Sequence, residues 1–170
     1  DQPLGRQLIQ IHDTILGRTP TRVFLARWYP AASDGKALKL ANARLEQIRI
    51  TLRRVADQTG RQLELKELGS ESEPVRLIHP LMYEAIKTAD IIAADLTGLR
   101  PNVFAEAGFA LQHMNQGRLV FLFQPSEAHP KVPFDLDPYN RVEVEDSGEI
   151  PDKLTPVLIG ILEKAARGEI

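Results

Sequence analysis

ADIIAADLTGLRPNVFAEAGFALQHMNQGRLVFLFQ, residues Ala89 to Gln124, decides the fold. Ile91 to Leu96 is a short apolar run closed by Thr97-Gly98, which predicts a buried strand running into a turn. Pro101 fits the first turn of a helix, where its missing N–H costs nothing. Val103, Ala107, Ala110, Leu111 and Met114 then recur at helical spacing, with Gly117 expected to stop the helix. Leu119 to Phe123 predicts a second buried strand. Two buried strands joined by a helix make a right-handed βαβ unit, the building block of a parallel sheet.

Outward from this unit the same alternation continues. Upstream, Arg22 to Ala26 predicts a first buried strand that runs into Arg27-Trp28-Tyr29-Pro30. Leu38, Ala41, Leu45, Ile48, Leu52 and Val55 alternate three and four apart, an amphipathic helix with Ser33 or Asp34 to cap it and Gly60 beyond its end. Lys39, Arg44, Arg49, Arg53 and Arg54, interspersed with Glu46 and Asp57, are expected to form its solvated outer face rather than a phosphate site. Gln62 to Leu68 alternates, as an edge strand does, and Gly69 to Glu73 is a polar loop. Pro80, just after His79, is expected to open a helix with Met82, Ala85, Ile86 and Ala89 inward. Downstream, Arg141 to Val144 predicts a short last strand, and Pro151 begins a final helix. The fold class that follows is α/β: a flavodoxin-like three-layer αβα sandwich on a five-stranded, mostly parallel sheet of order 2-1-3-4-5.

Leu4, Leu8, Ile11 and Ile15 add an extra N-terminal helix, so residues 1–20 read as a helical appendage or linker and 21–170 as the domain. Because the sequence opens on Asp1 rather than Met, a piece cut from a longer protein is expected. A chain of 170 residues, 43% apolar and 26% charged, fits one globular core. A net charge of −2 gives no electrostatic footprint for a nucleic-acid polymer or an anionic membrane. The absence of cysteine removes disulfides, thiol chemistry and thiolate metal sites, and no histidine has metal-ligand spacing. No apolar run nears the roughly 20 residues of a membrane span, and no secretory signal is visible. A cytoplasmic protein with no metal and no cofactor is expected.

Ligands of open α/β sheets bind beyond the carboxyl ends of the strands, where the strand order reverses. Strands 1 and 3 flank that point and carry Arg27, Trp28 and Tyr29 on one side and Asp95 to Asn102 on the other. Trp28 either stacks a nucleobase or covers the end of the core. Asp95 either binds sugar hydroxyls or caps its own loop, beside Thr97. Asn102 either bonds ligand or caps the helix, and Arg100 suits a phosphate. Glu106 lies three residues after Val103 and four before Ala110, on the inward face near a helix start whose dipole favours an ionised carboxylate. Gly108 beside it removes a side chain from a ligand's path. The alternative for Glu106 is a partly exposed glutamate paired with Arg100 or a neighbour.

Glu106-Ala107-Gly108-Phe109-Ala110, after Asp95-Leu96-Thr97-Gly98-Leu99-Arg100-Pro101-Asn102-Val103, resembles the nucleoside 2-deoxyribosyltransferase superfamily and the TIR-like nucleotide-binding domains into which it grades. The resemblance covers roughly Arg22 to Val144 and extends to Val132-Pro133-Phe134-Asp135-Leu136 before the last strand. It implies an N-glycosidase-type domain in which Glu106 is nucleophile or stabiliser of the sugar cation. It also implies that Trp28 and Tyr29 line a base pocket and that the partner is a nucleotide, nucleoside or NAD. Relatives of both kinds form homo-oligomers, and one is expected here. Met82 and Arg100 stand where the transferases carry aspartates, and Asn102 stands where TIR sites carry tryptophan. These departures favour hydrolysis over base exchange. The alternative is a non-catalytic, nucleotide-sensing or self-assembling module of a larger protein.

Overall fold

The computed structural model describes residues 19–31, 33–67, 75–132 and 140–170. Its sheet has five parallel strands in the order β2-β1-β3-β4-β5. They are β1 (Thr21–Ala26), β2 (Leu63–Lys66), β3 (Ile91–Asp95), β4 (Leu119–Phe123) and β5 (Asn140–Glu143). Four helices cross over between them or follow the last: α1 (Gly35–Thr59), α2 (Val75–Thr88), α3 (Pro101–His113) and α4 (Ile150–Ala166). This is the architecture that the spacing of apolar residues predicts.

The central strands read as unbroken apolar runs because both of their faces are covered. Val23, Leu25, Ile91, Ala93, Val120 and Leu122 pack on one face against α1 and α4, with Leu45, Ile48, Leu52, Leu154 and Leu158. Phe24, Ala26, Ile92, Ala94, Phe121 and Phe123 pack on the other against α2 and α3, with Met82, Ile86, Val103, Ala107 and Ala110. Each Val, Leu, Ile, Phe or Met among these contributes about 1.5–3 kcal/mol when fully buried. The two edge strands have only four residues each, which limits the length of open edge; β2 half-buries Leu63 and Leu65, and β5 buries Val142.

Asp34 caps α1, its side chain accepting from the Ala37 N–H at 3.0 Å. Gly60 closes the same helix in the left-handed region, φ 68°, and its N–H bonds the Ala56 carbonyl. Two helix limits differ from expectation. Pro80 does not open α2, which starts at Val75 and carries the proline inside it. An interior proline costs about 3 kcal/mol, and the burial of Met82 and Ile86 beyond it offsets that. Gly117 does not end α3 either. The helix stops at His113, Met114 leaves it in an extended conformation, and the Asn115 side chain starts a short 3-10 turn over Gln116–Arg118. Gly117 serves packing instead, since a β-carbon there would meet the Ile170 side chain at 2.6 Å. The extra N-terminal helix, the loop from Gly69 to Glu73 and the segment from Pro133 to Leu136 lie outside the described residues. Among the described residues no helix is long and apolar enough to cross a membrane.

Candidate functional site

β1 and β3 are neighbours, and the chain leaves their carboxyl ends in opposite directions, to α1 and to α3. A cavity of about 650 Å³ opens at that edge. Its apolar wall is the start of α1, with Ala37, Leu40, Ala41, Leu45 and Ile48. Its polar crown comes from the strand ends: Arg27 and Trp28 after β1, Asp95 at the end of β3 with Thr97, Gly98 and Arg100 after it, and Gln124 after β4. The crevice of the sequence reading therefore exists, and five of the residues assigned to it line this cavity: Arg27, Trp28, Asp95, Thr97 and Arg100.

Its floor is an ion pair. Asp95, 7% exposed, follows Ile91 and Ala93 on the α1 face of β3. Arg44 of α1 meets it with two parallel bonds, Nε to Oδ2 at 2.8 Å and Nη2 to Oδ1 at 2.9 Å. The same guanidinium donates to Thr97 Oγ1 at 2.8 Å and to Gln124 Oε1 at 2.7 Å. The Thr97 N–H donates to Asp95 Oδ1 at 3.2 Å, so Asp95 does cap its own loop. The Gln124 N–H donates to Thr97 Oγ1 at 3.1 Å. One arginine thus ties α1 to the ends of β3 and β4. Arg44 is not part of a solvated face, as the charge pattern suggested. It stands three residues after Ala41 and four before Ile48, on the flank of the buried stripe, where the buried Asp95 can reach it. The rest of that face is solvated as expected: Arg53 pairs with Glu46 and Arg54 with Asp152 at exposed positions, and exposed Arg49 reaches the partly buried Glu67.

The lip over the cavity is the loop after β1. Arg27 Nε donates to Glu67 Oε2 at 2.8 Å, and the Tyr29 hydroxyl donates to the same oxygen at 3.3 Å. The Arg27 guanidinium also lies over the Tyr29 ring, 4.1 Å from its centre. Burial first, and then the Glu67 charge, push the Tyr29 phenol up to about 12. Arg27 and Tyr29 are thus hung on one carboxylate at the end of β2, with Trp28 held between them. Trp28 in turn carries the Arg100 guanidinium 3.6 Å from its ring centre.

Glu106 stands apart from this cavity. It is half-buried on α3, the helix of the opposite face of the sheet, about 9 Å along the axis from Arg100 at 1.5 Å per residue. No described residue bonds or pairs with it, so the pairing with Arg100 does not form. Burial alone pushes its carboxyl up to about 7 from an ordinary 4.5, and so outweighs the pull of the helix dipole toward the ionised form. Asn102 is exposed in the first turn of α3 and caps nothing: Arg100 holds the N-cap position and no side chain caps the helix. Gly108 is exposed, and a β-carbon there would meet nothing within 4 Å. Among the described residues no cluster of three His, Asp or Glu is placed to hold a metal.

The fold is shared with a CMP N-glycosidase. That structure, Clostridium botulinum BcmB, superposes with a TM-score of 0.51 at 20% identity, over 78% of this chain and 97% of its own. At that identity the relation is distant and concerns the fold. No family model and no curated protein matches the sequence.

Reasoning from sequence missed Arg44, Gln124 and Glu67. Arg44 was legible in part, through its place beside the apolar stripe. Glu67 and Gln124 each follow a strand at the carboxyl edge of the sheet, and that position was the only signal they gave.

Proposed function

We propose that this protein is an N-glycosidase-type domain. It binds a nucleotide, nucleoside or NAD and hydrolyses the bond between base and sugar, with Glu106 as the catalytic group. The observation that carries this reading is Glu106 itself, a desolvated carboxyl without a described partner, one and a half turns into a helix at the ligand edge of the sheet. The shared fold of a CMP N-glycosidase supports it.

In the reaction the C1′–N bond breaks and its electron pair leaves with the base, which takes up a proton. The sugar becomes an oxocarbenium-like cation. Ionised Glu106 stabilises or captures that carbon, which requires the sugar to extend out of the cavity past Arg100 toward α3, and water then adds to C1′ and loses its proton. A carboxyl with its midpoint near 7 holds both protonation states at neutral pH, which suits a group that meets a cation and then handles a proton. Trp28 is the base platform, and Asp95 with Thr97 shapes the cavity floor.

Separation of Glu106 from the 650 Å³ cavity favours a second reading, a TIR-like nucleotide-sensing module that assembles without turnover. Incubation with nucleoside monophosphates, nucleosides and NAD, followed by chromatography for free base, separates the two. Base release that is lost in Glu106→Gln supports the enzyme. Binding without release supports the sensor.

A further inference from the structure

α1 is far longer than the strands it covers: 25 residues, or about 37 Å, against 6 residues, or about 20 Å, for β1. Its apolar stripe does not stop where the sheet ends. Leu45 and Ile48 pack into the core. Ala37, Leu40 and Ala41, nearer the start of the helix, lie outside that core and line the 650 Å³ cavity instead. Leu40 is 61% exposed, the most exposed large apolar side chain among the described residues. The α1 wall of the cavity is thus open aliphatic surface.

The polar side of the cavity is already bonded to itself. Asp95 Oδ1 accepts from Arg44 and from the Thr97 N–H, and Oδ2 accepts from Arg44. Thr97 Oγ1 accepts twice, from Arg44 and from the Gln124 N–H. The Gln124 amide oxygen accepts from Arg44, and its nitrogen donates to the Glu145 carbonyl. The two other acids on the lining, Asp34 and Asp146, accept from the N–H groups of Ala37 and Gly148. Adenine and cytosine are read through the N–H groups of their exocyclic amines, which need an acceptor. Every carboxylate and amide on this lining has its donor within the chain. A bare amine turned toward it would leave N–H groups unpaired, and an alkyl group in place of one hydrogen removes that cost. What is left to tell one base from another is apolar surface and room.

We propose that the cavity selects a nucleoside whose base carries an apolar substituent on its exocyclic amine, with Leu40 as the specificity-determining residue. This rests on the N-glycosidase reading for the identity of the nucleoside part. The base lies at Trp28, the sugar is directed past Arg100 toward α3, and the substituent faces α1. Ala37 and Ala41, one turn apart, leave room beside Leu40 for a flat ring or a branched alkyl group. Seating that group takes the exposed surface of Leu40 out of water together with its own.

The test titrates the full chain carrying Glu106→Gln by calorimetry with two pairs, adenosine with N6-benzyladenosine and cytidine with N4-benzylcytidine, and with benzyl alcohol alone. In at least one pair the benzylated nucleoside is expected to bind at least about tenfold tighter than its parent, the gain from burying part of one ring. Leu40→Asp in the same background should remove that gain and leave the parent nucleoside within about twofold. Leu40 lies outside the core, so the variant should fold, and circular dichroism checks it. Should it fail to fold, Leu40→Ala, which only shortens the side chain, should reduce the gain by about threefold or more. Equal binding within both pairs, a gain that survives both substitutions, benzyl alcohol binding as tightly as the benzylated nucleosides, or no binding at all overturns the proposal. Base release by the native protein with equal kcat/KM for parent and benzylated nucleosides upholds the glycosidase and overturns the apolar selection. Binding of a benzylated nucleoside that depends on Leu40, with no release of base, does the reverse.

Discussion

A carboxyl that is buried without a partner should weaken the fold whenever it is ionised, and Glu106 allows this to be measured without any ligand. Its midpoint rises from 4.5 to about 7 on folding, so the folded chain holds the proton more tightly than the unfolded chain does. Stability from this group is therefore fully present below pH 4.5 and is lost as pH rises through 7. At about 1.4 kcal/mol per pH unit the loss is about 3 kcal/mol, and residual solvent contact brings it to about 2–3 kcal/mol. Glu106→Gln keeps the shape and removes the titration. The variant should melt close to the native protein at pH 4 and above it at pH 8.5. A domain of this size shifts by about 2–4 °C per kcal/mol, so the gap at pH 8.5 should be about 5–10 °C. Thermal melts of both proteins across that range, followed by circular dichroism, give the answer. A gap of constant size at all pH values would refute the claim that the carboxylate is desolvated and unpaired.

Three more outcomes follow from named contacts. Arg44→Met leaves buried Asp95 without its two parallel bonds and should cost about 3–5 kcal/mol in urea denaturation; adding Asp95→Asn should recover part of that loss. Gly60→Ala places a β-carbon at φ 68° beyond α1 and should cost about 1 kcal/mol in the same assay. Base release that needs ionised Glu106 should climb with pH through about 7 and level off above 8, and a rate falling over that interval would assign the protonated form instead.

The fold was legible because its signals were redundant. Ile91 to Ala94 and Leu119 to Phe123 are apolar on both faces, and the α1 stripe from Leu45 to Val55 has no break, so period and length agree on every central element. Helix ends were less legible. Pro80 and Gly117 are strong local punctuation, yet the pull of Met82 and Ile86 into the core and of Ile170 onto Gly117 overrode it. The cavity was legible as a place, since the switch point follows from strand order alone; five of the assigned residues line it, and Tyr29, Asn102, Glu106 and Gly108 do not. What could not be read was who pairs with whom. Asp95 takes its partner from 51 residues upstream, and Arg27 takes Glu67 from 40 residues downstream. No local pattern encodes such distances, and Arg44 therefore looked like one more surface cation. Glu106 was placed correctly on α3 and in its inward sector, but its protonation was misjudged. The helix dipole contributes less than about 1 kcal/mol, and burial exceeds it.

The central claim is that this chain breaks N-glycosidic bonds through Glu106. The most direct measurement is free base released from CMP, other nucleoside monophosphates, nucleosides and NAD, by the native protein and by Glu106→Gln, with folding of both checked by circular dichroism. The account predicts release from at least one of these compounds by the native protein and a loss of about a hundredfold or more in the variant. Release that survives unchanged in Glu106→Gln, or no release from any compound that demonstrably binds, would contradict it.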